Sequence, residues 1–398
     1  MLVVQKYGGT SVGSVERIDK VCERVIKTKN VGNDVVVIVS AMCGVTNKLI
    51  EYAEHFEKHP NPADMDILLS AGERITSALL AIALEAKGYK SVAFSGRKAG
   101  VVTDDVHTKA RIDFIDPSNM KKALNEGRIV VVAGFQGITK DGEVTTLGRG
   151  GSDLSAVAIA GALNADLCEI YTDVDGVYTT DPRIEPKAKK LEKISYDEML
   201  ELASLGAKVL QNRSVELAKK LNVNLVTRSS FNYNEGTMIT GEEGMEEAII
   251  SGIALDKNQA RVTIREVEDK PGVVAEIFSK LADKNINVDM IIQNSAKNDT
   301  TSLSFTVPQN ELDLAYDVIK AEKFTKIESD SDIVKVSVVG VGMKSHSGVA
   351  STAFKTLANE GINIQMISTS EIKISMIVDA KYGELAVRVL HKSYKLEA

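Results

Sequence analysis

Two short stretches set a cation among glycines. Lys6-Tyr7-Gly8-Gly9-Thr10-Ser11 follows Leu2-Val3-Val4, a β-branched run that reads as a strand. The glycines let backbone come close to a ligand, and Thr10 or Ser11 is placed to cap a helix over about Val12–Thr28. Strand, turn and helix start then aim several N–H donors at an anion, with Lys6 beside them. A lone Lys-x-Gly-Gly is also an ordinary tight turn, so it needs company. Gly148-Arg149-Gly150-Gly151-Ser152-Asp153 supplies it, ahead of a helical run over Leu154–Leu163. Its guanidinium can grip a carboxylate with two parallel bonds, and Asp153 falls where its charge suits the helix dipole. Two such loops in one domain point to the handling of two anionic groups.

A third stretch, Tyr171-Thr172-Asp173-Val174-Asp175-Gly176-Val177-Tyr178, ends a strand and runs on through Thr179-Thr180-Asp181-Pro182-Arg183. Loops at the carboxyl ends of strands are where open α/β sheets bind ligands. Taken alone it is equally a capped acidic turn. Lys208 in Gly206-Ala207-Lys208 is a further cation, and Glu73 in Ser70-Ala71-Gly72-Glu73-Arg74 is either a surface charge or a contact for an ammonium. No Gly-x-x-x-x-Gly-Lys-Ser/Thr loop, protein-kinase catalytic loop, Gly-x-Ser-x-Gly elbow or metalloprotease motif occurs.

These loops need a sheet to hold them. Residues 1–245 alternate apolar runs with helical patterns, which predicts an α/β domain with a mainly parallel sheet sandwiched by helices. Strands are expected at Leu2–Gln5, Asp34–Ser40, Ser91–Phe94, Ile129–Ala133, Leu167–Thr172 and Asn224–Thr227, with long helices over Asp64–Lys87 and Ser195–Leu221. Val35-Val36-Val37-Ile38-Val39 is apolar throughout, as a strand covered on both faces would be. The polar break Asn232–Thr237 and the acidic Glu242–Glu247 place a domain boundary near residue 245.

The remainder repeats itself. Gly272-Val273, Phe278, Leu281-Ala282, Ile286-Asn287 and Met290-Ile291 recur as Gly348-Val349, Phe354, Leu357-Ala358, Ile362-Asn363 and Met366-Ile367, each offset by 76 (348−272 = 366−290 = 76). Each copy reads as strand, glycine turn, helix and strand, so two small α+β units are expected at 246–332 and 333–398. Gln293-Asn294 and Thr369-Ser370 follow the Ile-Asn strands at equivalent places, where they can line a ligand pocket.

Composition bounds the partners. The 398 residues carry a net charge of −7 and no Trp, which opposes a nucleic-acid surface while allowing one small phosphate ligand. The longest apolar run, Val35–Cys43, is too short to span a bilayer, and Met1 leads straight into a strand, so no membrane or targeting segment is expected. Cys22, Cys43 and Cys168 show no metal or redox spacing, which suits the cytoplasm.

In order, Lys6-Tyr7-Gly8-Gly9-Thr10-Ser11-Val12, Val39-Ser40-Ala41, the Gly148–Asp153 loop and the Tyr171–Arg183 stretch closely resemble the aspartokinase family, and the resemblance covers essentially the whole chain. It implies an amino-acid-kinase domain at 1–245 and two ferredoxin-like ACT domains, with residues 247–258 candidates for pairing into the second. It also implies a monofunctional enzyme that phosphorylates the β-carboxylate of L-aspartate with ATP, the first step toward lysine, threonine and methionine. One departure is Leu210-Gln211-Asn212-Arg213, where the family often has Leu-His-Pro-Arg.

By that resemblance, Lys6 lies against the transferring phosphoryl, with Gly8, Gly9 and Thr10 giving backbone contacts, Ser40 near the phosphates, and Asp153 positioning Lys6. Arg149 takes the α-carboxylate of aspartate and Glu73 its ammonium, with Thr46, Gly150, Gly151 and Ser152 completing the pocket. Thr172, Asp173, Tyr178, Arg183 and Lys208 form the ATP side, and Mg²⁺ rides on the phosphates without a dedicated protein cage. Asp269, Ala275, Gln293, Asn294, Asn363, Thr369 and Ser370 are the effector contacts, for lysine, threonine or both. A homo-oligomer through the ACT domains is implied, and a shorter regulatory chain is a further candidate partner. Rival readings are a family member acting on glutamate, N-acetylglutamate or carbamate, and an amino-acid sensor with a dead kinase domain.

Overall fold

The computed structural model describes residues 1–204, 209–241, 249–294, 299–322, 324, 326–344, 346 and 348–397. The boundary expected near 245, the acidic segment after it and Lys208 lie outside the described residues. The chain divides into two compact units. One contains Met1–Val177, Lys190–Ala203 and residues 209–241; the other contains Tyr178–Lys189 and residues 249–397.

The first unit is built on a central sheet of strands β1 (Leu2–Tyr7), β2 (Asp34–Val39), β3 (Ser91–Phe94), β6 (Ile129–Ala133), β9 (Leu167–Thr172), β10 (Lys193–Ser195), β11 (Leu225–Ser229) and β12 (Thr237–Thr240), in the order β10-β12-β11-β9-β1-β2-β6-β3. Every neighbouring pair is parallel except β11 with β12. Val35–Val39 is fully buried, so β2 is covered on both faces as its unbroken apolar run requires. A smaller sheet that the sequence did not announce adds β4 (Val101–Thr103), β5 (Ile112–Ile115), β7 (Gln136–Ile138) and β8 (Val144–Thr146), in the order β5-β4-β7-β8. Strands of three or four residues are too short to show periodicity.

Helices α1 (Val15–Asn30), α2 (Val45–Phe56), α3 (Pro62–Ala86), α4 (Ser118–Asn125), α5 (Gly151–Leu163), α6 (Tyr196–Ser204) and α7 (Asn212–Leu221) complete the unit. Two helices differ from expectation. α1 starts three residues late: Ser14 Oγ accepts from Arg17 N at 3.3 Å, whereas the Ser11 hydroxyl is buried against Ser230 Oγ at 2.8 Å and is not free to cap. The single helix foreseen over Ser195–Leu221 is two, because Gln211 is extended (φ −83°, ψ 133°) where α7 begins. α3 is long and apolar enough to cross a bilayer by composition, yet half of its most apolar window is buried within the protein. Leu80 and Leu84 join Val21, Val25, Val37 and Val131 in the core between sheet and helices.

The second unit carries β13 (Gly252–Glu268), α8 (Val273–Asp283), β14 (Ile291–Gln293), β15 (Thr300–Val307), α9 (Leu312–Ala321), β16 (Ile327–Val339), α10 (Val349–Asn359), β17 (Met366–Thr369), β18 (Lys373–Asp379) and α11 (Gly383–Ser393). They make one six-stranded sheet, β14-β15-β13-β16-β18-β17. The two long central strands serve both repeats. Gly252–Asp256 pairs with Lys335–Val339, while Arg261–Ile264 pairs with Ile327–Asp330, with register shifts between Asp256 and Arg261. Each repeat has its own core, around Leu281 and Phe305 in one and around Leu357 and Met376 in the other. Between them, Met290 and its repeat counterpart Met366 share a cluster with Ile333 and Ile377. Buried Lys335 pairs with Asp289 and stands 3.7 Å from Asp256, while Arg261 donates to Gln365 at 2.8 Å and pairs with Asp330 at 3.2 Å. Asp289 and Gln365 are themselves repeat partners (365−289 = 76), so each copy's first strand reaches into the other copy's Ile-Asn segment.

The Tyr178–Lys189 segment is held within this second unit. Ile253 N donates to Thr179 O at 2.7 Å, and the Thr179 hydroxyl lies 2.9 Å from Nε2 of buried His391. Ala188 forms a β-bridge with Glu397.

Candidate active site

The parallel strands deliver their carboxyl ends to one edge of the large sheet. β1 is where connections change direction, with β2 on one side and β9 on the other, and such a switch point opens a crevice. Gly8 N donates to Tyr171 O at 3.3 Å and Ser40 N to Tyr7 O at 3.1 Å, which draws the three loops together. Pleating sends Lys6 to the opposite face from Gln5 and Tyr7. On the Gln5 face, Tyr7 stacks on Tyr171 at 4.6 Å. There buried Glu169 accepts from Gln5 Nε2 at 2.7 Å and from Tyr171 OH at 3.0 Å, and faces Arg228 at 3.4 Å. Burial, then the Glu169 charge, raises the Tyr171 hydroxyl pKa, so it stays protonated.

On the other face Lys6 Nζ meets Asp153 Oδ1 at 2.6 Å, with only 10 % and 13 % of the two side chains exposed. Asp153 stands in the first turn of α5, which Gly150 caps. Arg149 precedes that cap. Its guanidinium is exposed and has no hydrogen-bond partner among the described residues. Gly150 is left-handed (φ +73°), and a Cβ there would lie 2.4 Å from Gln211 Cγ, so only glycine fits. Gln211 Nε2 in turn donates to Arg149 O at 3.3 Å. The Gln211 that departs from the family pattern thus packs directly under the arginine turn. Arg213 holds the same turn by donating to Leu147 O at 2.8 Å and Ala110 O at 3.1 Å.

Glu73, on α3, is 4 % exposed and accepts from Ala41 N at 3.0 Å through Oε1. Its Oε2 is buried with no partner among the described residues. Burial pushes the carboxyl pKa up to about 7, against the opposing pull of the Ala41 N–H bond. An ammonium group would satisfy that empty oxygen and restore the charge.

Amino acid kinase family sequences match residues 1–228, and the ACT domain pattern matches 265–322 and 336–394. The aspartokinase of Helicobacter pylori J99 is 58 % identical over 404 aligned residues, covering the whole of both chains. The chain belongs to the aspartokinase family. The aspartate kinase of Pseudomonas putida KT2440 is 53 % identical over 403 residues, covering all of this chain and 98 % of its own. E. coli aspartokinase III, solved with aspartate and ADP in an R-state, is 27 % identical, covers 99 % of both chains and superposes with a TM-score of 0.82. The same enzyme with lysine and aspartate in a T-state gives 0.79. Sheet, kinase domain and ACT repeats are those of this family.

The residues singled out for the site fall into groups. Lys6, Gly8, Gly9, Ser40, Glu73, Arg149, Gly150, Gly151, Ser152 and Asp153 belong to the β1, β2, α3 and α5 segments of one unit. Thr46 is half-buried near the start of α2, and Thr10 is exposed. Thr172 ends β9 with its hydroxyl accepting from Val174 N at 2.9 Å, and Asp173 is exposed after it. Tyr178 and Arg183 belong to the second unit, where Arg183 pairs with Asp181 at 2.7 Å. Asp269, Ala275, Gln293, Asn294, Asn363, Thr369 and Ser370 are all exposed, and β14 and β17 form the two outer strands of their sheet. Sequence patterns missed Gln211 and Arg213 as supports of the Arg149 turn, and missed the polar ladder around Glu169. Only the alternation of β1 and β9 hinted at the latter.

Glu73 yields a pH test on the ligand-free enzyme. Between its unfolded value of 4.5 and about 7 the folded chain keeps a proton that the unfolded chain has lost, so stability falls as pH rises through this window. The slope from this group is about 1.4 kcal/mol per pH unit, and it flattens above the window. Glu73→Gln removes the slope. The Tm of the variant minus that of the parent should therefore be near zero at pH 4.5 and largest above pH 7; a difference that does not change with pH would refute the burial argument.

Proposed function

We propose that this chain transfers the γ-phosphoryl group of ATP to the β-carboxylate of L-aspartate, giving 4-phospho-L-aspartate and ADP. One observation carries the reading. Arg149 stands just before the start of α5 and Asp153, in its first turn, pairs with Lys6 at 2.6 Å, which supports one helix end offering a cation to each of two anions. That E. coli aspartokinase III was solved with aspartate and ADP supports the pair of ligands.

The chemistry fits a site organised by charge. A free β-carboxylate, with a pKa of about 3.9, is ionised at neutral pH and attacks phosphorus unaided. A carboxylate oxygen forms the new P–O bond as the bond to the β-phosphate oxygen breaks, and ADP leaves with that electron pair. What the protein supplies is alignment and neutralisation of developing charge. Lys6 takes the transferring phosphoryl and Asp153 keeps its ammonium in place. Gly8, Gly9, Thr10 and Ser40 line the phosphates. Arg149 grips the α-carboxylate and Glu73 receives the ammonium, with Thr46, Gly150, Gly151 and Ser152 around them. Thr172 and Asp173, at and just after the end of β9, complete the ATP side within the first unit. Among the described residues no cluster of three His, Cys, Asp or Glu forms a metal cage. Mg²⁺ would enter on the nucleotide, most of its ligands being phosphate oxygens and water, and neutralise phosphate charge there.

The ACT repeats serve as the regulatory half, with Asp269, Ala275, Gln293, Asn294, Asn363, Thr369 and Ser370 as contacts for lysine, threonine or both; the lysine-bound T-state of E. coli aspartokinase III supports such an effector. The outer strands β14 and β17 leave two sheet edges open to a second copy or a shorter regulatory chain. The enzyme works in the cytoplasm.

Lys6→Ala should lower kcat at least a hundredfold, measured as trapped acyl phosphate; activity within threefold of the parent would refute its role. Arg149→Ala should raise the aspartate KM at least tenfold and leave the ATP KM within twofold, and equal shifts in both would count against the assignment. Lysine and threonine titrated singly and together should inhibit at least fivefold in one combination; indifference to both would end the regulatory proposal.

A further inference from the structure

α3 buries two carboxylates on one face, seven residues apart. Glu73 belongs to the site already described. Asp66, two helical turns earlier, is fully buried and has no part in it. Both of its oxygens accept from Thr108 N at 3.1 Å, His107 Nδ1 lies 2.7 Å from Oδ2, and the Thr146 hydroxyl donates to Oδ1. We propose that Asp66 is a positioning residue for aspartate binding: it clamps Thr108 and Thr146 against Gly148 and thereby fixes where the Arg149 turn stands. The proposal rests on the reading of Arg149 as the carboxylate grip.

Three features argue for positioning rather than general support. Thr108 is left-handed (φ +65°), a conformation that a β-branched residue adopts only when its surroundings impose it, and such strain gathers near functional sites. The Thr108 carbonyl comes so close to Gly148 that a Cβ there would lie 3.3 Å from it, and Gly148 is itself left-handed (φ +77°). The imposed turn is therefore seated directly on the residue before Arg149. Ala110 N donates to Thr146 O at 2.9 Å, and Arg213 ties Ala110 and Leu147 together from its own side. The backbone entering the arginine turn is thus fastened by Asp66 and by Arg213. A buried carboxylate is costly unless its oxygens are satisfied, and here they are, by bonds that gain strength from the charge. A site that must hold an exposed guanidinium in register with a ligand needs such a rigid base, because small misplacements of a binding group cost large factors.

The test uses the full-length enzyme with Asp66→Asn, Thr146→Val, Arg149→Ala and the double variant Asp66→Asn/Arg149→Ala, each assayed for aspartate KM, ATP KM, kcat and Tm. Asp66→Asn should raise the aspartate KM about tenfold with the ATP KM within twofold, and Thr146→Val, which removes one donor without changing shape, about threefold. The double variant should show an aspartate KM no higher than that of Arg149→Ala alone, since both act through one group. The proposal is overturned if Asp66→Asn and Thr146→Val move both KM values together, lower only the Tm, or multiply fully with Arg149→Ala. Should Asp66→Asn fail to fold, Thr146→Val singly and with Arg149→Ala decides by the same criteria. An Arg149→Ala enzyme with an unchanged aspartate KM would overturn the arginine reading and this proposal with it; a raised KM there, with Asp66→Asn and Thr146→Val silent, overturns this proposal alone.

Discussion

The ion pair between Lys6 and Asp153 is the contact on which the catalytic unit turns. An ammonium as secluded as that of Lys6 loses most of its hydration, and a carboxylate at 2.6 Å returns what water would have given. The pairing joins the end of β1 to the first turn of α5, two elements 147 residues apart in sequence (153−6), and so fixes helix start, arginine turn and lysine as one rigid set. The parallel sheet supplies the frame. With β9 and β2 on either side of β1, the glycine turn after Tyr7 opens at the sheet's switch point rather than over a covered face.

What could be read from the sequence was what is local. Unbroken valine runs marked β2 and β6, and glycines beside a cation marked the two turns that end β1 and begin α5, since those features follow from backbone geometry alone. The repeat at a spacing of 76 gave two α+β copies for the same reason: it is a pattern within the string. What could not be read depends on chain segments meeting. A lone Asp66 within an apolar helix looks like a solvated charge near its N-terminus, and only the fold shows Thr108, His107 and Thr146 gathered around it. Ser11 and Ser14 are chemically alike as caps, and burial against Ser230 removes the first. The sheet of β4, β5, β7 and β8 has strands too brief to carry a period. Aspartate itself, as opposed to another amino acid, was legible only through resemblance, because a guanidinium grips any carboxylate.

The ACT copies share more than a family likeness. β13 and β16 each run through both, so neither copy owns a complete sheet. Lys335 and Arg261 cross from one copy's strand to the other's Ile-Asn segment, and Met290, Met366, Ile333 and Ile377 fill the space between. The outer strands of the two copies, β14 and β17, are thus joined through strands that both copies use.

The excursion at Tyr178–Lys189 has a practical meaning for anyone dissecting this enzyme. After Val177 the chain leaves the catalytic unit, joins the sheet and C-terminal helix of the ACT unit through Thr179, His391 and Ala188, and comes back at Lys190. The second unit is therefore not a single continuous stretch of chain. Scissors applied once near residue 245 would free neither unit: a shortened catalytic fragment would trail twelve residues (178–189) stripped of their backing, and an isolated ACT fragment would have an unfilled seam beside His391.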